Sequence, residues 1–226
     1  MKLYMHPVSM TSRPVRLFIH DNKIACEEHV VDLMTGEHYK EPFTKLNPNR
    51  LVPVLEDDGF KLTESSAILK YLADKINSPA YPKDLKQRAK VNEIMDWLNT
   101  NFYREYGYGL CYPQIFPNHK RRSDEAHAAT VEWAANNAKV WLGLLNDYWI
   151  GPGTSYLVGN KLSIADYLGA GLVSLGEIIR IDFGKYQNVK RWLDTMKQQP
   201  SWGEVNKVFY GFAESVKGQQ FVNVHA

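Results

Sequence analysis

The sequence predicts an α/β domain followed by an all-helical domain, and three observations carry that prediction. Strand-like and helix-like patterns alternate through roughly the first 78 residues. A proline-containing turn cluster, "NSPAYPKDLK", interrupts them, and beyond about Leu85 the apolar spacing is helical throughout, with no strand pattern and no repeat. The expected boundaries are 1–78 for the first domain, 79–87 for a linker and 88–226 for the helical domain.

Each element has its own signal. Residues 2 to 5 form a short strand pattern, and "RPVRLFIHDN" (13 to 22) places Val15, Leu17, Phe18 and Ile19 as a short amphipathic helix closed by Asn22. "ACEEHVVDL" (25 to 33) is a second strand, followed by a turn and at most a short helix in "MTGEHYKEPFTKLNP". In "LVPVLEDDGFKLTES" the dipeptide Asp58-Gly59 joins two short apolar runs as a hairpin. "ESSAILKYLADKI" then spaces Ile68, Leu69, Leu72 and Ile76 along one helix face. Helices are expected at about 86–110, 123–149, 163–180, 187–197 and 201–214. The start of the third is marked by Ser163 three residues before Asp166, the spacing at which each side chain reaches the other's backbone amide in a capping box.

Composition narrows the function classes. With 226 residues, 44% hydrophobic and 23% charged, the chain can bury a real core, and a net charge of +2 gives no reason to expect a nucleic-acid partner. No run of about 18 apolar residues suggests a membrane span, and the N-terminus lacks the charged-then-apolar pattern of a secretion signal, so a cytoplasmic location is expected. Cys26 and Cys111 form no C-x-x-C pair and are expected as free thiols. The scattered histidines show no metal-ligand spacing, so no metal is expected.

The chemistry-bearing candidates cluster early. "KLYMHPVSMTSRPVRL" (2 to 17) sets Ser9, Thr11 and Ser12 between a strand and a helix, where a hydroxyl either caps the helix or faces a ligand at its N-terminus. Pro53 opens a strand, where an X-Pro bond can be cis and present the Val52 backbone to a ligand; Glu64 and Ser65 follow at a helix start. Further on, "DWLNTNFYREYGYGLCYPQIFP" (96 to 117) concentrates Trp97, Phe102, Tyr103, Tyr106, Tyr108, Tyr112 and Phe116, more aromatic surface than one helix face needs for packing. "NHKRR" (118 to 122) reads as a solvated loop.

"HPVSMTSRPVRL", "GEHYKEPF" and "LVPVLEDDGFKLTESSAI", in this order, together resemble the thioredoxin-like domain of glutathione transferases, and the helical remainder with "LSIADY" resembles their second domain. The resemblance covers essentially the whole chain and is to the theta and phi type, which uses serine where other classes use tyrosine or cysteine. It implies the glutathione transferase fold, glutathione as co-substrate, a small hydrophobic electrophile as acceptor, and a homodimer. With Arg13 as anchor, Ser9 falls on the position whose hydroxyl donates to the glutathione sulfur; Ser12 is the runner-up, better explained as the helix cap, and Tyr4 a weaker competitor. A thiol with a pKa of about 8.5 is mostly protonated at neutral pH, and a hydrogen bond plus the positive end of a helix favours the thiolate.

The resemblance further implies that Glu64 takes the γ-glutamyl ammonium, that Ser65 and the helix N-terminus take its carboxylate, and that Val52, before Pro53, pairs with the cysteinyl unit. His38 with Arg50 sits where the glycyl carboxylate is held. Here the chain departs from the pattern: Leu51 stands where relatives often carry Gln or Lys, which leaves His38, Tyr39, Lys40 or Arg50 for that contact. Tyr103, Tyr106 and Tyr112 are the candidates for the electrophile pocket, a phenol there being able to polarise the acceptor. The activity implied is thiolate attack on the acceptor. A glutathione-dependent isomerase, dehalogenase, reductase or peroxidase, or a non-catalytic glutathione-fold binding protein, are the alternatives.

Overall fold

The computed structural model describes residues 1–225. Its first domain is a four-stranded sheet in the order β2-β1-β3-β4, built from β1 (Lys2–Met5), β2 (Glu27–Val30), β3 (Val54–Asp57) and β4 (Phe60–Leu62). β1 runs parallel to β2 and antiparallel to β3. The β3–β4 hairpin turns on Asp58 and Gly59 at φ 47° and 84°, the left-handed pair that a two-residue turn requires and that Asp-Gly supplies at low cost. Helices α1 (Ser12–Asp21) and α3 (Ser65–Lys75) bury Leu17, Phe18, Ile68, Leu69 and Leu72 in the same core as Leu3, Met5 and Leu55 of the sheet. The short α2 (Phe43–Leu46) lies in a separate cluster where Val31, Phe43 and Val54 are buried.

The second domain is helical, as the spacing predicts, with different bounds. α4 begins at Leu85, inside the segment expected as linker, because the Asp84 side chain accepts from the Gln87 amide at 2.9 Å and caps it there. It runs to Trp97 and continues as π-helical turns at Leu98–Phe102 and Arg104–Cys111, leading into α5 (Tyr112–Ile115). α6 (Asp124–Leu144), capped by Ser123, likewise widens into a π-helical end, Leu145–Ile150. α7 (Ile164–Val173), α8 (Gln187–Met196) and α9 (Trp202–Ser215) complete the domain. The helix expected over 163–180 is shorter, since a 3-10 turn at Ser174–Glu177 follows Val173.

Every residue of α7 is buried, which makes it the central helix of the molecule. The Ser163–Asp166 box forms at its start, and Asp166 does more than cap: its carboxylate also accepts from the Leu157 amide at 2.8 Å and the Trp192 indole at 2.9 Å. α7 also joins the domains. At Gly171 a Cβ would lie 2.4 Å from Pro14 Cγ, so glycine is what lets α1 approach this closely. Arg13 of α1 is 1% exposed; it donates to the Gly171 carbonyl at 2.9 Å, to Ser174 Oγ at 3.1 Å and to Asn206 Oδ1, and its guanidinium sits 3.7 Å from the Phe209 ring centre. Burial pulls its pKa down to about 10, so the guanidinium stays charged at neutral pH, held by neutral acceptors and an aromatic face. This docking fixes where the N-terminus of α1 points.

Candidate active site

A cleft of about 290 Å³ opens between the two domains. The first domain contributes His6, Val8, Ser9, Met10, Thr11, His38, Tyr39, Arg50, Leu51 and Val52, and the second Tyr103, Tyr108, Tyr112, Phe116, Asn118 and His119. Ser9 sits where the strand β1 turns into α1. Its amide donates to the His6 carbonyl at 3.0 Å and its carbonyl accepts from Arg13 N at 3.0 Å, so the turn is closed on both sides by backbone.

The roles of the hydroxyls differ from expectation in one respect. Ser9 Oγ itself accepts from the Ser12 amide at 3.2 Å, which makes Ser9 the residue that caps the turn, while Ser12 is fully buried and its Oγ lies 3.5 Å from the His6 amide. Capping and facing the cleft are therefore not exclusive: the half-buried Ser9 does both. Thr11, assigned no role from sequence, donates to the Val52 carbonyl at 3.1 Å, and its oxygen lies 3.2 Å from Ser9 Oγ. With the Thr11 proton committed to Val52, Ser9 is the donor of that second pair, and its proton is held by nothing stronger than a neutral hydroxyl. The amide bond that Ser9 Oγ accepts polarises its own O–H outward. Tyr4 is removed from contention, since its hydroxyl donates to Glu56 at 3.1 Å and it does not line the cleft.

At one end of the cleft lie the candidates for a carboxylate contact. His38 is 8% exposed with its Nδ1 buried and unpartnered among the described residues, its ring is 3.9 Å from that of Tyr39, and burial lowers its pKa. Arg50 and Leu51 precede Val52 in the same lining; Lys40 is not part of it. The Val52–Pro53 bond is cis. Pro53, Glu64 and Ser65 lie outside the lining of the cleft, with Ser65 opening α3 and Glu64 just before it at φ 63°. The Glu64 carboxylate is close enough to Tyr108 to help burial raise the phenol's pKa, which puts it beside the cleft without lining it.

The other end is aromatic, and one expected residue does not belong to it. Tyr106 is fully buried and donates to the Val173 carbonyl at 2.7 Å, packed on Gly176, where a Cβ would lie 1.9 Å from its hydroxyl. Tyr103 and Tyr112 do line the cleft, joined hydroxyl to hydroxyl, and Tyr108 takes the place expected of Tyr106. The widened helix explains the exchange. An α-helix would bring residues 103, 106 or 107, and 110 to one face, whereas turns closed by i to i+5 bonds bring round Tyr103, Tyr108 and Tyr112. Tyr103 packs over Gly107, where a Cβ would meet its ring at 2.4 Å. His119 and Asn118, expected in a solvated loop, fold back onto this wall. Burial raises the pKa of both Tyr103 and Tyr112, which keeps them neutral phenols.

Among the described residues no group of three or more His, Cys, Asp or Glu side chains is placed to hold a metal ion, and no helix is long and apolar enough to cross a membrane.

Comparison with known proteins agrees with this architecture. Family models for the glutathione S-transferase N-terminal and C-terminal domains match residues 1–74 and 120–200. The theta-1 glutathione S-transferase of Homo sapiens is 35% identical over 183 residues, 79% of this chain and 72% of the relative. Among solved structures, human glutathione transferase theta-2, in complex with glutathione and an unknown ligand, superposes with a TM-score of 0.85 at 26% identity, covering 98% of this chain and 92% of that one. A glutathione S-transferase of Bombyx mori, unclassified 2, does so with a TM-score of 0.81 at 29% identity, covering 98% and 99%. The chain belongs to the glutathione S-transferase family.

Proposed function

We propose that this glutathione transferase binds glutathione along the first-domain side of the cleft and holds its thiolate with the Ser9 hydroxyl for attack on a small hydrophobic electrophile. The observation that carries the reading is the state of that hydroxyl. Ser9 lines the cleft at the N-terminal turn of α1, its oxygen accepts a backbone amide, and its proton rests on Thr11, a weak acceptor that a thiolate outcompetes. Val52 then pairs with the cysteinyl unit, His38 and Arg50 face the glycyl carboxylate, and Glu64 with Ser65 takes the γ-glutamyl end. Tyr103 and Tyr112 share one hydroxyl–hydroxyl hydrogen bond, so one phenol proton of the pair is left over to polarise the acceptor, in the reading that of Tyr112; the rings around it give an apolar seat. A cytoplasmic, reducing setting is part of the reading, with Cys26 and Cys111 both free thiols.

Ser9→Ala is expected to lower conjugation of a standard aryl halide by roughly 2 to 4 kcal/mol in the transition state, with glutathione affinity by calorimetry within a few fold. Because Ser9 also caps the turn, about 1 kcal/mol of stability goes with it. Retained activity in Ser9→Ala, with the loss appearing in Ser12→Ala or Tyr4→Phe, would overturn the assignment.

The same reading includes a homodimer. Over 98–111 the rings of Phe102 and Tyr106 are buried and Tyr103 lines the cleft; the exposed apolar stripe lies on α6 and its extension, at Trp133, Val140, Leu144 and Tyr148. Burying that stripe against a second copy about a two-fold axis removes it from water. Sedimentation at low micromolar concentration is expected to give a species of twice the 26.0 kDa chain mass; a fully active monomer would contradict it.

A further inference from the structure

We propose that His119 selects the acceptor: its imidazole N–H donates to an oxygen on the electrophile, so that nitro, carbonyl or epoxide groups are favoured over plain alkyl halides. The inference rests on the transferase reading above and concerns the far wall of the same cleft. A 3-10 turn, Pro117–His119, closed by the His119 amide on the Phe116 carbonyl at 2.9 Å, brings the side chain back over the aromatic wall. Its ring centre lies 5.1 Å from that of Tyr112, 5.8 Å from Tyr108 and 6.3 Å from Phe116.

The chemistry follows from what the ring does and does not touch. Aromatic neighbours hold it, yet neither ring nitrogen hydrogen-bonds a described residue, in contrast to His6, whose Nδ1 accepts from the Val8 amide at 3.3 Å. Burial, and after it the charge of Arg121, lowers its pKa, so at neutral pH it carries one N–H and one lone pair whichever tautomer is present. The half-buried ring shares its part of the cleft with Tyr108, Tyr112 and Phe116, and its N–H has no acceptor among the described side chains, which leaves it free for an oxygen on the ligand. An oxygen-bearing acceptor satisfies it. An alkyl halide leaves it unpaired.

The test is calorimetric titration of two glutathione conjugates, S-dinitrophenylglutathione with nitro oxygens and S-hexylglutathione with none. They are titrated into the wild-type protein, His119→Phe, which keeps a packed ring, and His119→Gln, which restores an N–H donor. His119→Phe is expected to weaken the dinitrophenyl conjugate by about tenfold, the loss of one hydrogen bond, while the hexyl conjugate stays within about twofold and His119→Gln recovers most of the loss. Parallel loss for both conjugates would reduce His119 to packing, and equal binding by all three proteins would remove it from recognition; either overturns the inference alone. A wild-type protein that binds neither conjugate would overturn the transferase reading and this inference with it.

Discussion

One wall of the cleft is a set of backbone turns tied by short-range hydrogen bonds, and the facing wall is a widened helix that presents rings. On the first wall, the Ser9 turn is closed by His6, Ser12 and Arg13, and Thr11 stitches it to Val52. On the second, Tyr103, Tyr108, Tyr112 and Phe116 touch edge to face, His119 packs tilted against the last three, and one hydroxyl pair is the polar feature that joins two of them. Hydrogen-bonded turns fix atoms that must meet a ligand of fixed chemistry, whereas apolar ring surface meets a ligand through dispersion and burial and tolerates variation in its shape. The division suits an enzyme with one constant substrate and a variable second one.

The two walls are therefore expected to respond differently to substitution. The largest effect after Ser9 belongs to the first domain, just beyond the first wall: Glu64→Ala is expected to weaken glutathione by about 1.5–3 kcal/mol, a charge-assisted bond, and Ser65→Ala by less, with maximal rate changed little because both hold a part of the molecule remote from sulfur. Unchanged affinity in both, by calorimetry, would break the comparison on that side.

On the second wall, Tyr112→Phe is expected to lower kcat/KM for a carbonyl- or epoxide-bearing acceptor about tenfold while leaving glutathione affinity alone, at a stability cost of about 1 kcal/mol for the lost bond to Tyr103. The smallest effect falls on Tyr106→Phe, which removes a buried hydrogen bond to Val173 and is expected to lower unfolding free energy by about 1 kcal/mol, a shift of a few degrees in Tm, with activity intact. If Tyr106→Phe instead altered acceptor kinetics and Tyr112→Phe did not, the helix phase assigned to this wall would be wrong.

How much of this was legible in the sequence follows the same division. Asp58-Gly59 and Ser163–Asp166 act within a few residues, and both form as their spacing predicts. Ser9 was found through the family pattern. Naming Ser12 as the cap misplaces that role alone, because the turn winds Ser9 Oγ back onto the Ser12 amide and Ser9 both caps and faces the cleft. The aromatic wall was legible in composition and not in phase. Aromatic content offers Tyr106 equally with its neighbours, and π-helical turns, which no periodicity in the sequence announces, bring Tyr108 to the cleft in its place. His119 stands in a charged stretch that reads as a solvated loop, and a single 3-10 turn leaves it half-buried on the rim of the cleft. Thr11 was visible as a hydroxyl in the right turn, with no sign that its partner would be Val52, 41 residues on.

The central claim, that Ser9 holds a thiolate, is tested most directly by the pKa of the bound glutathione thiol. Ultraviolet difference absorbance of the thiolate, titrated against pH in the binary complex without acceptor, measures it. The wild-type enzyme is expected to depress it by roughly two units from about 8.5, or about 2.7 kcal/mol in favour of the anion, and Ser9→Ala to return it most of the way to the free value. A thiol that titrates at the same depressed pKa in Ser9→Ala would contradict the account.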